Sequence, residues 1–233
     1  MKNISIISNH GNYNNPNNLQ DSIKMFNEYK YIDMIEIDVI YENNDFYVNH
    51  DYNNGGGDTL DTWLYNMIKI NKYVWIDLKD RAIYDSYFDI IKFDNYLSEI
   101  NNKLNLISYI FIGCQFKLLY EKMLKCKFIQ KLNIIFDAIY AHYYIPKITS
   151  NINNYFYNTS IKNNIYYDIY HHFYNTNIIA IDISFFNDDL EIQDFIYKIP
   201  NNFKYIILYS LSTKKSFLYL KHQKIIYMYK IFL

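Results

Sequence analysis

Eight short runs of Ile, Tyr, Val and Leu punctuate the chain, at residues 4–8, 34–40, 73–78, 109–113, 133–137, 178–183, 205–209 and 224–229. They are continuous rather than alternating, which predicts strands covered on both faces, as in a parallel sheet. Between them apolar residues fall at helical spacing. Leu19, Ile23 and Phe26 do so, then Leu64, Met67 and Ile68, then Phe116, Leu119, Tyr120 and Met123, and more loosely Leu190, Phe195, Ile196 and Ile199. A further helix is expected over 161–173. Strands alternating with helices predict βαβ units. Right-handed crossovers then leave an open doubly wound sheet or a closed (β/α)8 TIM barrel. No G-x-G-x-x-G follows the first run and no G-x-x-x-x-G-K-[S/T] occurs, so the open sheet lacks its usual nucleotide-binding signature. The expectation is one α/β barrel domain over residues 1–233, its last helix missing or shortened because the chain stops just after the eighth run.

Composition narrows the function classes. An apolar fraction of 51% excludes a disordered chain, and a net charge of -1 argues against a nucleic-acid binder that works through a cationic field. No run reaches the roughly 18 apolar residues of a transmembrane helix, and the N-terminus does not read as a secretory signal. A cytoplasmic, reducing location is therefore expected. Cys114 and Cys126 fall at opposite ends of a strand–helix unit, too far apart to be bridged. The chain is rich in Asn, Ile, Lys and Tyr, with 5 Gly, 3 Pro and the single arginine Arg81, which reads as A/T-rich coding. Asn is then expected where other chains use Gly, Asp or Ser, and Lys where they use Arg.

The candidate chemistry gathers at strand ends, where a barrel carries its reactive groups. The first run ends near His10. In the second, Glu36 and Asp38 alternate with apolar residues and so share one side of the strand. Two carboxylates in an apolar strand are costly to bury unpaired, and a divalent cation is the simplest partner. The third run carries Asp77, with Lys79 two residues on. A short extended segment after the second run ends in His50-Asp51, before Gly55-Gly56-Gly57. Glu36, Asp38 and Asp77 make an all-oxygen set that suits Mg2+ or Ca2+ rather than zinc. His10 and His50 supply groups that titrate near neutrality, for general acid and base. Lys79 supplies a cation for an anionic oxygen. Together these are the means to cleave a phosphodiester.

Taken singly, each residue has a plainer reading. A lone His at a strand end is more often structural, and only the set lifts His10 and His50 above that. His142, His171, His172 and His222 have no acidic partner at useful spacing and read as packing or surface residues. Asp137 and Asp182 end strands and suit substrate contact or helix capping equally well. Cys114 has no His nearby in sequence to activate it.

In order along the chain stand His10-Gly11-Asn12, Pro16-Asn17-Asn18-Leu19, Glu36-Ile37-Asp38, His50-Asp51 and Asp77-Leu78-Lys79. This series resembles the His-Arg-Gly, Pro-Glu-Asn-Thr, Glu-x-Asp, His-Asp and Glu-Leu-Lys motifs of the glycerophosphodiester phosphodiesterase family. Thr59-Leu60 and Tyr209-Ser210-Leu211-Ser212 add weaker likenesses. The match is strong over residues 1–80 and thin beyond. The resemblance implies a metal-dependent barrel hydrolase acting on a glycerophosphodiester or lysophospholipid. His10 and His50 would be its acid/base pair, Glu36, Asp38 and Asp77 its metal ligands, and Lys79 its phosphate contact. Two departures stand out. The arginine after the first His is absent, which removes a bidentate phosphate clamp, and the third acid is Asp rather than Glu. Both occur in the sphingomyelinase D branch of the same superfamily, so release of a lipid head group is the competing chemistry. A barrel that has become a binding module is the third reading.

Overall fold

The computed structural model describes residues 6–8, 19–28, 30, 33–49, 57–78, 89–114, 117–137, 178–182, 190, 194, 197, 205–209 and 225–229. Its strands are β1 (Ile6–Ser8), β2 (Met34–Glu42), β3 (Asp45–Val48), β4 (Tyr73–Leu78), β5 (Ile110–Cys114), β6 (Asn133–Asp137), β7 (Ile178–Asp182), β8 (Tyr205–Tyr209) and β9 (Ile225–Tyr229). The helices are α1 (Leu19–Glu28), α2 (Leu60–Lys69), α3 (Ile90–Leu104) and α4 (Lys117–Met123), with 3-10 turns at Leu106–Ser108 and Ile129–Lys131. All eight predicted runs are strands, each within two residues of its expected limits.

The fold is a TIM-type (β/α) barrel. Seven parallel neighbours follow one another as β2-β4-β5-β6-β7-β8-β9, and β1 pairs in parallel with β9 on one side and with β2 on the other. The parallel strands thus run in a continuous hydrogen-bonded circuit. β3 is an addition to it, folding back antiparallel onto the outer half of β2 through the pair Glu42↔Asp45. The two residues between, Asn43 and Asn44, have φ of 51° and 66°, which a two-residue hairpin of this twist requires. Asn71 (φ 58°) and Asn105 (φ 50°) likewise turn the chain after α2 and α3. Asn takes the left-handed positions that glycine fills elsewhere, in line with the compositional skew.

Strand alternation sorts the side chains into two cores. Ile35, Ile37 and Val39 of β2, with Val74, Ile76 and Leu78 of β4, pack outward against Phe26 of α1, Trp63 and Leu64 of α2, and Phe93 and Leu97 of α3. Met34, Trp75, Ile135, Ile178, Ala180 and Ile207 form a separate inner core, with Tyr73 and Phe111 against it. Every residue from Met34 to Ile40 is buried, so the continuous apolar run reports a strand covered on both faces.

The longest helix described, α3, was not among the expected segments. Asp89 caps it, accepting a hydrogen bond from the Ile91 N–H at 2.9 Å, and Ile90, Phe93, Leu97 and Ile100 bury one face. Its buried Asp94 accepts from three backbone N–H groups, of Lys127 (3.0 Å), Phe128 (2.9 Å) and Ile129 (2.7 Å), pinning the turn that leads into β6. Leu190, Asp194 and Tyr197 are helical as expected, but Leu190 is 74% exposed and so does not carry the buried face its spacing suggested. Cys114 and Cys126 are both buried, and no disulfide joins them. The expected helix over 161–173, the residues beyond Tyr229 that bear on a last helix, and His142, His171, His172 and His222 lie outside the described residues. No helix among the described residues is long and apolar enough to cross a membrane.

Candidate metal centre

Glu36 and Asp38 alternate with Ile35, Ile37 and Val39, whose side chains enter the outer core. The two carboxylates are therefore placed inside the barrel. Asp77 is placed there in the same way by Val74, Ile76 and Leu78 on β4. Register finishes the arrangement, since Asp38 pairs with Asp77 and Glu36 with Trp75 across adjacent parallel strands. One ligand oxygen from each of Glu36, Asp38 and Asp77 lies within 4.8 Å of the others. All three residues are buried, with 4%, 2% and 8% of their surface exposed.

Three carboxylates so close and so deep repel one another. At an effective dielectric of about 20, each pair of like charges at this separation costs on the order of 3–4 kcal/mol. A cation bound among them would offset that repulsion. The donor set fits a hard divalent cation. It is all oxygen, and a span of 4.8 Å can be bridged by one ion with oxygen ligands at about 2.0–2.6 Å. Asp94 shows the contrast. Its buried oxygens are taken up by three backbone N–H groups, and it belongs to no group of three metal-ligating side chains among the described residues.

The remaining predicted residues, His10, His50 and Lys79, lie outside the described residues. Their sequence neighbours are described. Ser8, two residues before His10, is in register with Glu36. Asn49, which precedes His50, donates its backbone N–H to the Asp38 carbonyl at 3.0 Å. Leu78, which precedes Lys79, closes β4 beside Val39. Asp137 and Asp182 end β6 and β7 as expected and pair with Ala180 and Tyr209.

The segment carrying His50 is anchored from its far side as well. The Val48 N–H donates to the Asp58 carbonyl at 3.0 Å, and Tyr47 forms an antiparallel bridge with Thr59, which opens α2. Gly57 makes this approach possible, because a Cβ there would stand 2.6 Å from the Val48 carbonyl oxygen. A second close approach was not foreseen in the sequence. A Cβ on Gly113 of β5 would stand 2.9 Å from Trp75 Nε1 and 3.6 Å from Asp77 Oδ1. The bare backbone at Gly113 thus borders both the indole and the acid group. That contact depends on the β4–β5 register, Ile76↔Ile112, which no single-strand pattern reveals.

No protein-family model matches this sequence, and no curated protein does. Solved structures do match. The crystal structure of a glycerophosphodiester phosphodiesterase from Agrobacterium tumefaciens str. C58 aligns with a TM-score of 0.57 and 15% identity, covering 97% of this chain and 95% of that one. A glycerophosphodiester phosphodiesterase from Parabacteroides distasonis aligns with a TM-score of 0.54 and 11% identity, covering 91% and 86%. At such identities the likeness is one of fold.

Proposed function

We propose that this chain is a metal-dependent phosphoric diester hydrolase of the glycerophosphodiester phosphodiesterase type, one barrel domain over residues 1–233, releasing glycerol 3-phosphate and an alcohol. The observation that carries this reading is the meeting of Glu36, Asp38 and Asp77 within 4.8 Å inside a barrel whose fold is that of solved glycerophosphodiester phosphodiesterases. The three carboxylates hold the cation, Mg2+ or Ca2+. The chemistry such a bound cation supplies is Lewis-acid stabilisation of charge on the phosphoryl oxygens.

The proton work falls to His10 and His50. One imidazole accepts a proton from the attacking glycerol hydroxyl and the other returns one to the departing alcohol oxygen; water then opens the resulting cyclic phosphate to glycerol 3-phosphate, with the two imidazoles exchanging roles. Two features support their convergence on the acids: the Ser8↔Glu36 register and the hydrogen bond from Asn49 to Asp38. Lys79, the next residue but one after Asp77 in the strand direction, supplies a positive charge for the phosphoryl group. The inner core of Met34, Trp75, Ile135 and their neighbours packs apolar side chains inside the barrel.

The test is a coupled assay on glycerophosphocholine and on lysophosphatidylcholine, with Mg2+ or Ca2+ and with chelator. Glycerol 3-phosphate released from glycerophosphocholine only when metal is present is the expected result. Choline released from lysophosphatidylcholine, with no glycerol 3-phosphate from the diester, would move the assignment to the sphingomyelinase D type, for which Asp77 is the residue in favour. No turnover of either substrate with metal bound would leave a binding module.

A further inference from the structure

Trp75 is the largest side chain of the inner core and is 4% exposed. Its indole N–H has no hydrogen-bond acceptor among the described residues. A buried donor left without an acceptor costs about 1–3 kcal/mol. Trp75 is the cross-strand partner of Glu36 and lies two residues before Asp77 on the same face of β4. The Nε1 atom and Asp77 Oδ1 both lie within 3.6 Å of the one point where Gly113 lacks a Cβ. The point over Gly113 therefore lies between a neutral N–H donor, the Ile76 carbonyl at 3.4 Å and an acid of the cluster. Trp63 gives the comparison. Its indole N–H is equally buried without an acceptor, but it belongs to the outer core, away from the acids.

We propose that Trp75 is a positioning donor of this site: its indole N–H, held over Gly113 beside Asp77, hydrogen-bonds an oxygen that the cation of the acid cluster also holds. This rests on the reading of Glu36, Asp38 and Asp77 as a cation site. The oxygen belongs to water when the cation binds alone and to the phosphoryl group when an organophosphate binds with it. A neutral donor suits this place. It adds no charge that would compete with the cation for the three carboxylates, and it serves where the arginine clamp of the resembled family is absent. Gly113 is the second half of the device, since any Cβ there must push the indole or the backbone aside.

The experiment uses the full chain labelled with 15N. It contains 2 Trp and so gives two indole N–H signals, which Trp75→Phe assigns. Mg2+ is titrated first and glycerol 3-phosphate second, with binding followed in parallel by calorimetry. The Trp75 indole proton is expected to move downfield on ligation while the Trp63 signal stays in place. A move with Mg2+ alone identifies water as the acceptor, and a further move with glycerol 3-phosphate identifies the phosphoryl oxygen. Trp75→Phe is expected to bind Mg2+ severalfold more weakly and glycerol 3-phosphate about tenfold more weakly than the wild type. Gly113→Ala, which keeps the indole but displaces it, is expected to give the same weakening, with the Trp63 signal reporting an intact fold. Heats for Mg2+ and glycerol 3-phosphate with a stationary Trp75 signal would overturn the assignment alone. Absence of any heat with Mg2+ and with Ca2+ in the wild type would overturn the cation site, and this assignment with it.

Discussion

Asp38 on β2 and Asp77 on β4 stand directly opposite each other in a parallel register, both buried inside the barrel, with Glu36 one pleat below Asp38. A sheet places like charges across from one another only at a cost. Here the cost is compounded by burial, and a cation bound between the acids would offset it.

Stability should therefore depend on divalent metal. Binding to the folded state at a hundred times Kd adds about 2.7 kcal/mol, which for a chain of this size raises Tm by roughly 5–10 °C. Asp38→Asn is expected to abolish that rise and, in chelator, to melt no lower than the wild type because one repelling charge is gone. Thermal melts with Mg2+, Ca2+ and chelator check both points.

Asp94 should behave in the opposite way. Three backbone N–H groups lose their acceptor in Asp94→Ala, and hydrogen bonds to a charged acceptor are worth about 1.5–3 kcal/mol each before relaxation. A loss of about 3 kcal/mol or more in urea unfolding is expected, with Mg2+ affinity unchanged in the folded fraction. A substitution at one buried aspartate thus costs stability, and at another costs metal.

Gly57→Ala tests the anchoring of the 45–50 segment. A Cβ 2.6 Å from the Val48 carbonyl oxygen forces the backbone apart. Overpacking of this kind costs about 1–3 kcal/mol. Turnover is expected to fall more than metal affinity does, because the displaced strand leads to His50 rather than to the acids. Paired calorimetry and kinetics separate the two effects.

Alkaline pH should weaken the fold through one buried group and one half-buried group. Burial, then the nearby Asp94 and Asp89, push the Cys126 thiol up to about 11 from 9.0. Burial first, and then Asp61, raise the Tyr96 phenol well above its ordinary range. Both acids keep their protons more tightly when folded than when unfolded. Their contribution is thus fully present below about pH 9 and is lost as the pH climbs past it. Urea midpoints should be flat from pH 7 to 9 and fall from pH 9 to 11. For the same reason Cys126 should resist thiol reagents at pH 8 until the chain is unfolded.

The barrel was legible because its strands are covered on both faces. Runs such as 34–40 and 73–78 leave little else for the chain to do. The acids were legible for a related reason. Glu36, Asp38 and Asp77 interrupt runs that are otherwise apolar, and the period of two puts them on one face. Less visible was α3, although Asp89 and the spacing of Ile90, Phe93, Leu97 and Ile100 mark it. Its apolar positions are scattered among polar ones instead of forming a block. The short β3 was legible as the extended segment ending in His50-Asp51, and the Asn43-Asn44 turn, in the left-handed region that Asn tolerates, folds it back onto β2. The meeting of Trp75, Gly113 and Asp77 was beyond reach, since it arises from register between strands separated by a helix.

The account stands on one coordination site, and a crystal soaked in MnCl2 tests it most directly. A single anomalous peak is predicted about 2.0–2.6 Å from one oxygen each of Glu36, Asp38 and Asp77. Strong peaks elsewhere on the molecule, with none between these three carboxylates, would contradict it.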